Sequence, residues 1–466
     1  MPHDIKRQTA GRLMCILVLT LVLSVMSATM FNIVLPEMAL DLNLSYAQVS
    51  WVSSVYMLIY GIGTVIYGKL ADSYKLKNLL TFGLIFFSLG SLVGLMSQAY
   101  WMVLLGRILQ AVGAAVIPAS AMIIPVRYFP QEKRGQALGL VAASLALGRV
   151  LGPVVPAFIM SVADWRWLFC LPLFTLFLLP LFRKYLDDEE RDSGNIDWIG
   201  GGLFGGTIAL LLLSVTEGGW LLVIGSLMLL FLFIVRIQRT AEPFIQPSLF
   251  KNKRYSLGVL IAFLTSASGF SIPFLSPLLL SSVNHLSPEG IGVVMVPGAI
   301  ISALLSKKGG QLADRRGNSI LFYTATTLLL ISLILLSSFA GMSPVYIAVI
   351  LILGDLGQAF VLVALANSIS RTLTERQIGV GMGFLQMMNF LAGSVSGAVY
   401  GRFVDVGASV TLNPMNTHSG AFVYSNIYIT LAGLMAAVLL LYHFQISKTG
   451  KHYSKVNQHP KIEEIP

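Results

Sequence analysis

The sequence predicts an all-α polytopic membrane protein, and three observations carry that prediction. Apolar residues fill 56% of the 466 positions and charged residues only 11%, where soluble domains carry about 25% charged residues. Mean hydropathy is +0.79, which leaves too little polar surface to cover a water-soluble globule. The apolar residues also come in nearly unbroken runs, such as 13–23 and 221–235, rather than in the apolar–polar alternation of a membrane barrel. Helices satisfy their backbone internally in lipid, so runs of this kind read as helical spans.

A span needs about 20 apolar residues. In chain order the candidates are 13–35, 48–67, 79–98, 100–123, 137–160, 166–182, 198–216, 219–236, 256–282, 288–306, 319–339, 344–368, 378–400 and 423–446. The first follows Lys6, Arg7 and Arg12 as a secretion signal would, but its apolar run is longer than a signal core and further spans follow it. Between spans six and seven lies a charged loop, 183–197, with the acidic run Asp187–Glu190. Spans eight and nine are joined by a linker, 242–254, that holds Pro243 and Pro247. The two cysteines, Cys15 and Cys170, fall at opposite membrane depths, so no disulfide is expected between them.

An even number of spans puts both termini on one side. Of the 31 Lys and Arg residues, 27 fall on that side, Arg166 and Arg402 fall opposite, and Arg107 and Arg149 lie within spans. That bias predicts cytoplasmic termini. It also accounts for the net charge of +10 as topology, so no nucleic-acid partner is expected.

Two loops on the terminal side repeat each other. One reads Gly68-Lys69-Leu70-Ala71-Asp72, and the other Gly310-Gln311-Leu312-Ala313-Asp314-Arg315-Arg316-Gly317. Internal repeats are common in secondary transporters. The copies stand 242 residues apart with eight spans between them, so two six-helix halves require an extra helix pair, spans seven and eight. The expected units are residues 1–183 (first half), 184–255 (insert with its linkers), 256–446 (second half) and 447–466 (tail).

On these residues the sequence resembles the major facilitator superfamily, in particular its fourteen-helix drug:proton antiporters of the tetracycline-efflux type from Gram-positive bacteria. The loop signature G-x-L-a-D-r-x-G is complete at Gly310–Gly317, while the copy at Gly68 carries Ser73 and Lys75 at its arginine and last glycine positions. The fourth-span pattern is matched by Arg107, Gln110, Gly113, Ala114 and Ala115, with Ala111 in place of a glycine. The antiporter signature of span five is matched at Gly148, Gly152 and Pro153 and departs at Pro156 and Ala157. The start of span six, Asp164-Trp165-Arg166-Trp167 with Phe169 and Pro172, also fits. The resemblance implies alternating access in a bacterial cytoplasmic membrane, a small-molecule substrate, a proton as coupling ion with no other cofactor, and a monomer in the bilayer.

The marked residues suggest roles. Asp72 and Asp314 sit at helix ends, where a carboxylate can dock on the positive N-terminus of another helix. The repeat places Asp72 by span thirteen and Asp314 by span five, as gates with Gly68, Gly310, Arg315 and Gly317. Gly148, Gly152 and Pro153, with Gly393, Gly397 and Gly401 on span thirteen, give small faces for close helix approach, and both helices are expected where the halves move. Charge within the membrane is costly and usually functional, which singles out Arg107, Arg149 and Asp355. Asp355 stands about 13 residues from the terminal-side end of its span, roughly 20 Å along the helix, and Arg149 lies at similar depth. Asp355 is the expected protonatable group. By fold analogy Arg107 also faces the central cavity, and Asn32, Gln358, Gln386 and Asn389 are candidate polar contacts.

The expected function is proton-coupled export of small amphipathic compounds. Tetracycline-specific efflux is one alternative, set back because the acidic positions of those exporters read Ala28 and Arg149 here. An uncoupled metabolite facilitator is another. An enzyme is not expected: the six histidines lie in loops, tails or helix ends, and no metal-ligand spacing appears.

Overall fold

The computed structural model describes residues 3–129, 131–186, 197–374 and 377–444. Among these the chain is helical throughout, and each expected span is present. The helices are α1 (His3–Thr29, continuing after a break at Met30 as Phe31–Asp41), α2 (Tyr46–Ser73), α3 (Leu76–Leu95) and α4 (Tyr100–Ala114 and Val116–Tyr128). They continue with α5 (Gln131–Met160) and α6, which is a 3-10 turn Trp165–Phe169 followed by Cys170–Leu173 and Thr175–Tyr185. Then come α7 (Trp198–Glu217), α8 (Trp220–Arg239), α9 (Lys253–Ser282) and α10 (Pro288–Arg316). The last four are α11 (Asn318–Phe339), α12 (Pro344–Ser370), α13 (Ile378–Val406) and α14 (Phe422–Tyr442). Thirteen of the stretches are long and apolar enough to cross a membrane, and the fourteenth, α13, is a 29-residue helix packed between α2 and α9.

Local chemistry sets the helix ends. Ser45 opens α2 with a capping box: its hydroxyl accepts from Gln48 N, and the Gln48 side chain accepts from Ser45 N. Asn252 caps α9 through Arg254 N and Tyr255 N. Ser287 precedes α10, which has Pro288 in its first turn, where a missing N–H costs nothing. Gly218 turns the chain between α7 and α8 at φ +77°, and Gly317 separates α10 from α11 at φ +90°. Both lie in the left-handed region that favours glycine.

Helices α1–α6 form one set and α9–α14 another, with α2 packing along α13 and α5 along α10 between the sets. The pair α7–α8 is an insert whose α7 rests on both α2 and α13. Trp51 Nε1 donates to Thr216 Oγ1 at 3.2 Å, and Lys69 Nζ donates to Pro243 O at 2.8 Å. The outer helix α8 keeps a wholly apolar face, with Leu221, Leu227, Met228 and Phe231 each about 60% exposed or more, as lipid contact requires.

Three apolar clusters make the core. One belongs to the first set on the terminal-bearing side, and a second joins α9–α14, the insert and Leu58 and Ile62 of α2. The third straddles both sets at the opposite end, where Phe31, Ile33 and Met38 meet Leu275, Leu278 and Tyr424. The two sets are therefore sealed together at the end away from the termini.

Candidate functional site

A cavity of about 370 Å³ lies between the two sets. Helices α1, α2 and α5 wall one side, and α9, α10, α12 and α13 wall the other. Its terminal-side rim includes Ser306, Ala366 and Met382, while the shared apolar cluster closes it opposite. Most of the wall is apolar, with Phe270, Phe390 and Met57 among the large side chains. Few polar groups interrupt it, the usual make-up of a small-molecule site.

Asp355 of α12 and Arg149 of α5 both line this cavity. Arg149 is exposed within it, and Asp355 is half-buried. Among the described residues they form no ion pair with each other or with any other group. The Asp355 carboxylate fits against Gly298 of α10: a Cβ there would collide with Asp355 Oδ2. Gly269 of α9 makes the same kind of room for the Gln358 carboxamide. Neither glycine was distinguishable from the other 41 in the sequence.

Asn32 and Gln358 complete the polar part. Asn32 Oδ1 accepts the Ser53 hydroxyl at 2.6 Å, whereas Asn32 Nδ2 is buried without a partner. Gln358 Oε1 is likewise buried and unpartnered. Left unmade, such bonds cost about 1–3 kcal/mol each, and both atoms are shielded from the cavity in this conformation. Elsewhere on the wall, Ser266 Oγ donates to Asn389 Oδ1 at 2.9 Å, and Gln386 is present too.

Arg107 is a correction. It does not line the cavity but is fully buried within the first set. Its Nε donates to Val52 O at 2.9 Å and its Nη1 to Ser27 O at 3.2 Å and Gln110 Oε1 at 3.1 Å. The guanidinium lies 3.9 Å from the Tyr56 ring centre and 4.5 Å from that of Phe31. Carbonyl oxygens and ring faces, rather than a carboxylate, compensate its charge. It ties α4 to α1 and α2, with its Nη2 buried without a hydrogen-bond partner.

Helix α5 packs along α10 between the sets, but its two signature glycines face their own set. A Cβ on Gly148 would lie 2.8 Å from Val25 Cβ, and one on Gly152 would meet the Thr29 hydroxyl. Both glycines therefore bring α5 against α1 within one set, and only Pro153 reaches the cavity. The glycines of α13 do lie between the sets: Cβ atoms on Gly393, Gly397 and Gly401 would stand 2.6 Å from Met57 Sδ, 2.8 Å from Ser54 Oγ and 2.6 Å from Tyr46 O.

Of the gating residues, Asp72 and Asp314 have side chains outside the described ones. Gly68 and Gly310 have open space where a Cβ would be. Arg315 is exposed, and Gly317 supplies the turn described above.

Comparison with known proteins bears on the whole arrangement. The family model described as Major Facilitator Superfamily matches residues 17–397. Riboflavin transporter RibZ of Clostridioides difficile (strain 630) is 28% identical over 444 residues, 93% of this chain and 96% of that protein. Multidrug resistance protein 3 of Bacillus subtilis (strain 168) is 29% identical over 357 residues, 74% of this chain and 70% of that one. Among solved structures, a POT family transporter in complex with a thioalcohol-conjugated peptide superposes with TM-score 0.70 at 13% identity, covering 94% of this chain and 96% of that one. The nucleoside transporter NupG superposes with TM-score 0.65 at 12% identity, covering 93% and 98%. With thirteen membrane-length apolar helices among the described residues and α13 packed among them, two six-helix halves around one cavity and a family match over most of its length, the chain belongs to the major facilitator superfamily and is a multi-pass secondary transporter.

Proposed function

We propose that this transporter exports small amphipathic compounds in exchange for protons. The observation that carries the reading is Asp355: a carboxylate inside the inter-half cavity, with no cationic partner among the described residues. A group so placed can take a proton when the cavity is empty and release it when substrate arrives. Mutual exclusion at one site is the minimum that antiport needs. The lengthwise similarity to a multidrug resistance protein supports the export direction.

In this reading the termini are cytoplasmic, as the basic residues suggest, and the conformation is inward-facing, closed at the outer end by the shared apolar cluster. Arg149, exposed in the cavity, disfavours cationic cargo and favours neutral or anionic compounds. A metal–tetracycline cation fits such a site poorly.

A second reading, an uncoupled metabolite facilitator, draws on the similarity to a riboflavin transporter over nearly the full length of both chains. Flux in proteoliposomes with and without an imposed pH gradient separates the two. Gradient-driven accumulation supports antiport, and gradient-independent equilibration supports the facilitator.

A further inference from the structure

The glycine face of α13 ends in a carboxylate. Gly393, Gly397, Gly401 and Asp405 follow at four-residue intervals, which places them on one face of the helix. That face runs along α2 of the other half, and Ser394 Oγ beside it donates to Ser54 O at 2.8 Å. At its end Asp405 Oδ1 accepts Tyr46 N–H at 2.7 Å and Oδ2 accepts Ala47 N–H at 2.6 Å.

Tyr46 and Ala47 are the first two residues of α2. Their N–H groups have no partner within the helix and form its positive end. The next donor, Gln48 N, is taken by Ser45 Oγ at 3.2 Å. The Gln48 carbonyl in turn accepts the Tyr100 hydroxyl at 2.6 Å, fixing the helix start from within its own half. The first half thus satisfies one donor of this turn and leaves two directed at the second half, where a bidentate, charge-assisted acceptor meets them. Asp405 is exposed, so water can replace both bonds when the halves part. The junction is strong enough to hold and weak enough to release.

We propose that Asp405 latches the outer end of the transporter, holding the N-terminus of α2 while that end is closed and releasing it on opening. It is the counterpart, on the opposite face, of the docking expected for Asp72 and Asp314. The proposal rests on alternating access between the two halves, and not on the identity of the cargo or of the coupling ion.

Ser50 reports on the latch. It is fully buried, and a Cβ on Gly401 would lie 3.0 Å from its own Cβ, so it is uncovered only when α2 and α13 separate. In a Cys15→Ser, Cys170→Ser background, the reaction rate of Ser50→Cys with N-ethylmaleimide is measured in purified full-length protein, with and without Asp405→Ala. The expected result is a rise of roughly tenfold, the factor for losing one net charge-assisted hydrogen bond. Tyr46→Pro is the second variant. Proline is tolerated at the first helical position and deletes one donor while keeping the carboxylate, so the rate should rise there as well. Ser88→Cys, buried in α3 away from the interface between the halves, should react at an unchanged rate. An unchanged rate at Ser50 in both variants overturns the latch, and so does an equal rise at Ser88, which means general loosening. No substrate or gradient is involved, so failure here leaves the proton-coupling reading untouched, and the reverse also holds.

Discussion

Asp355 and Arg149 share a cavity and do not share a bond. One comes from α12 and the other from α5, on opposite sides of the inter-half space, and no ion pair joins them. In the proposed reading both groups remain available, the acid to a proton and the guanidinium to substrate.

Arg149 should therefore govern substrate charge. Arg149→Ala is expected to weaken transport of an anionic substrate by about tenfold in KM, with kcat nearly unchanged, and to relax exclusion of cations. Competition assays with matched anionic and cationic amphipaths read this directly. An equal effect on both charges contradicts it.

Arg107 should behave differently. Truncation to alanine removes three hydrogen bonds and two ring contacts from a fully buried site. It is expected to cost about 3 kcal/mol or more, read as a fall in thermal unfolding temperature in detergent. Arg107→Lys rescues only part, because an ammonium cannot reproduce the guanidinium fork. The substrate profile of the surviving protein should be unchanged, since the residue does not line the cavity.

Two glycines give opposite signatures. A Cβ on Gly113 would collide with backbone atoms of Phe87 and Gly83 where α4 crosses α3, so Gly113→Ala destabilises by about 1–3 kcal/mol. A Cβ on Gly298 meets chiefly the movable end of Asp355, with the Leu351 backbone carbon next at 3.3 Å. Gly298→Ala is therefore expected to leave the unfolding temperature nearly intact while impairing gradient-driven transport. Thermal unfolding and flux measured side by side distinguish the two.

The insert carries a pH-dependent clasp at Asp197. Its carboxylate accepts from Gly200 N and Arg236 Nε at 3.0 Å and from Phe244 N at 3.2 Å, joining the start of α7, the end of α8 and the following linker. Burial alone would raise its pKa, but these hydrogen bonds and the Arg236 charge hold it below the ordinary carboxylate value. A depressed acid stabilises the fold above its ordinary range and loses that contribution as pH falls through the depressed value. Asp197→Asn is thus expected to lower stability by about 1–3 kcal/mol at neutral pH, with the gap to wild type closing as pH falls through and below the ordinary carboxylate range. A gap that stays constant with pH contradicts the clasp.

Much of this was legible beforehand. Long apolar runs fix spans because lipid admits little else, and the repeats at Gly68 and Gly310 show the duplication, although both prove to be the last turns of α2 and α10 rather than loops. Asp355 and Arg149 stood out because charge inside a span is costly. Arg107 lies within a span too but faces elsewhere, since depth along a helix says nothing about which face a side chain occupies. Rotation of α4 turns it inward, toward Val52 and Tyr56. Asp405 is the converse case. At the end of a span a carboxylate reads as solvated, and only the approach of α2 from the other half makes it a cap. Gly298 and Gly269 matter through what they leave room for, which has no local signature.

The central claim is that Asp355 couples transport to protons. Wild-type and Asp355→Asn proteins, matched for expression and unfolding temperature, are reconstituted and assayed for flux under an imposed pH gradient and again at symmetric pH. The account predicts that Asp355→Asn loses gradient-driven accumulation while keeping exchange of substrate at symmetric pH. Undiminished gradient-driven accumulation by Asp355→Asn contradicts it.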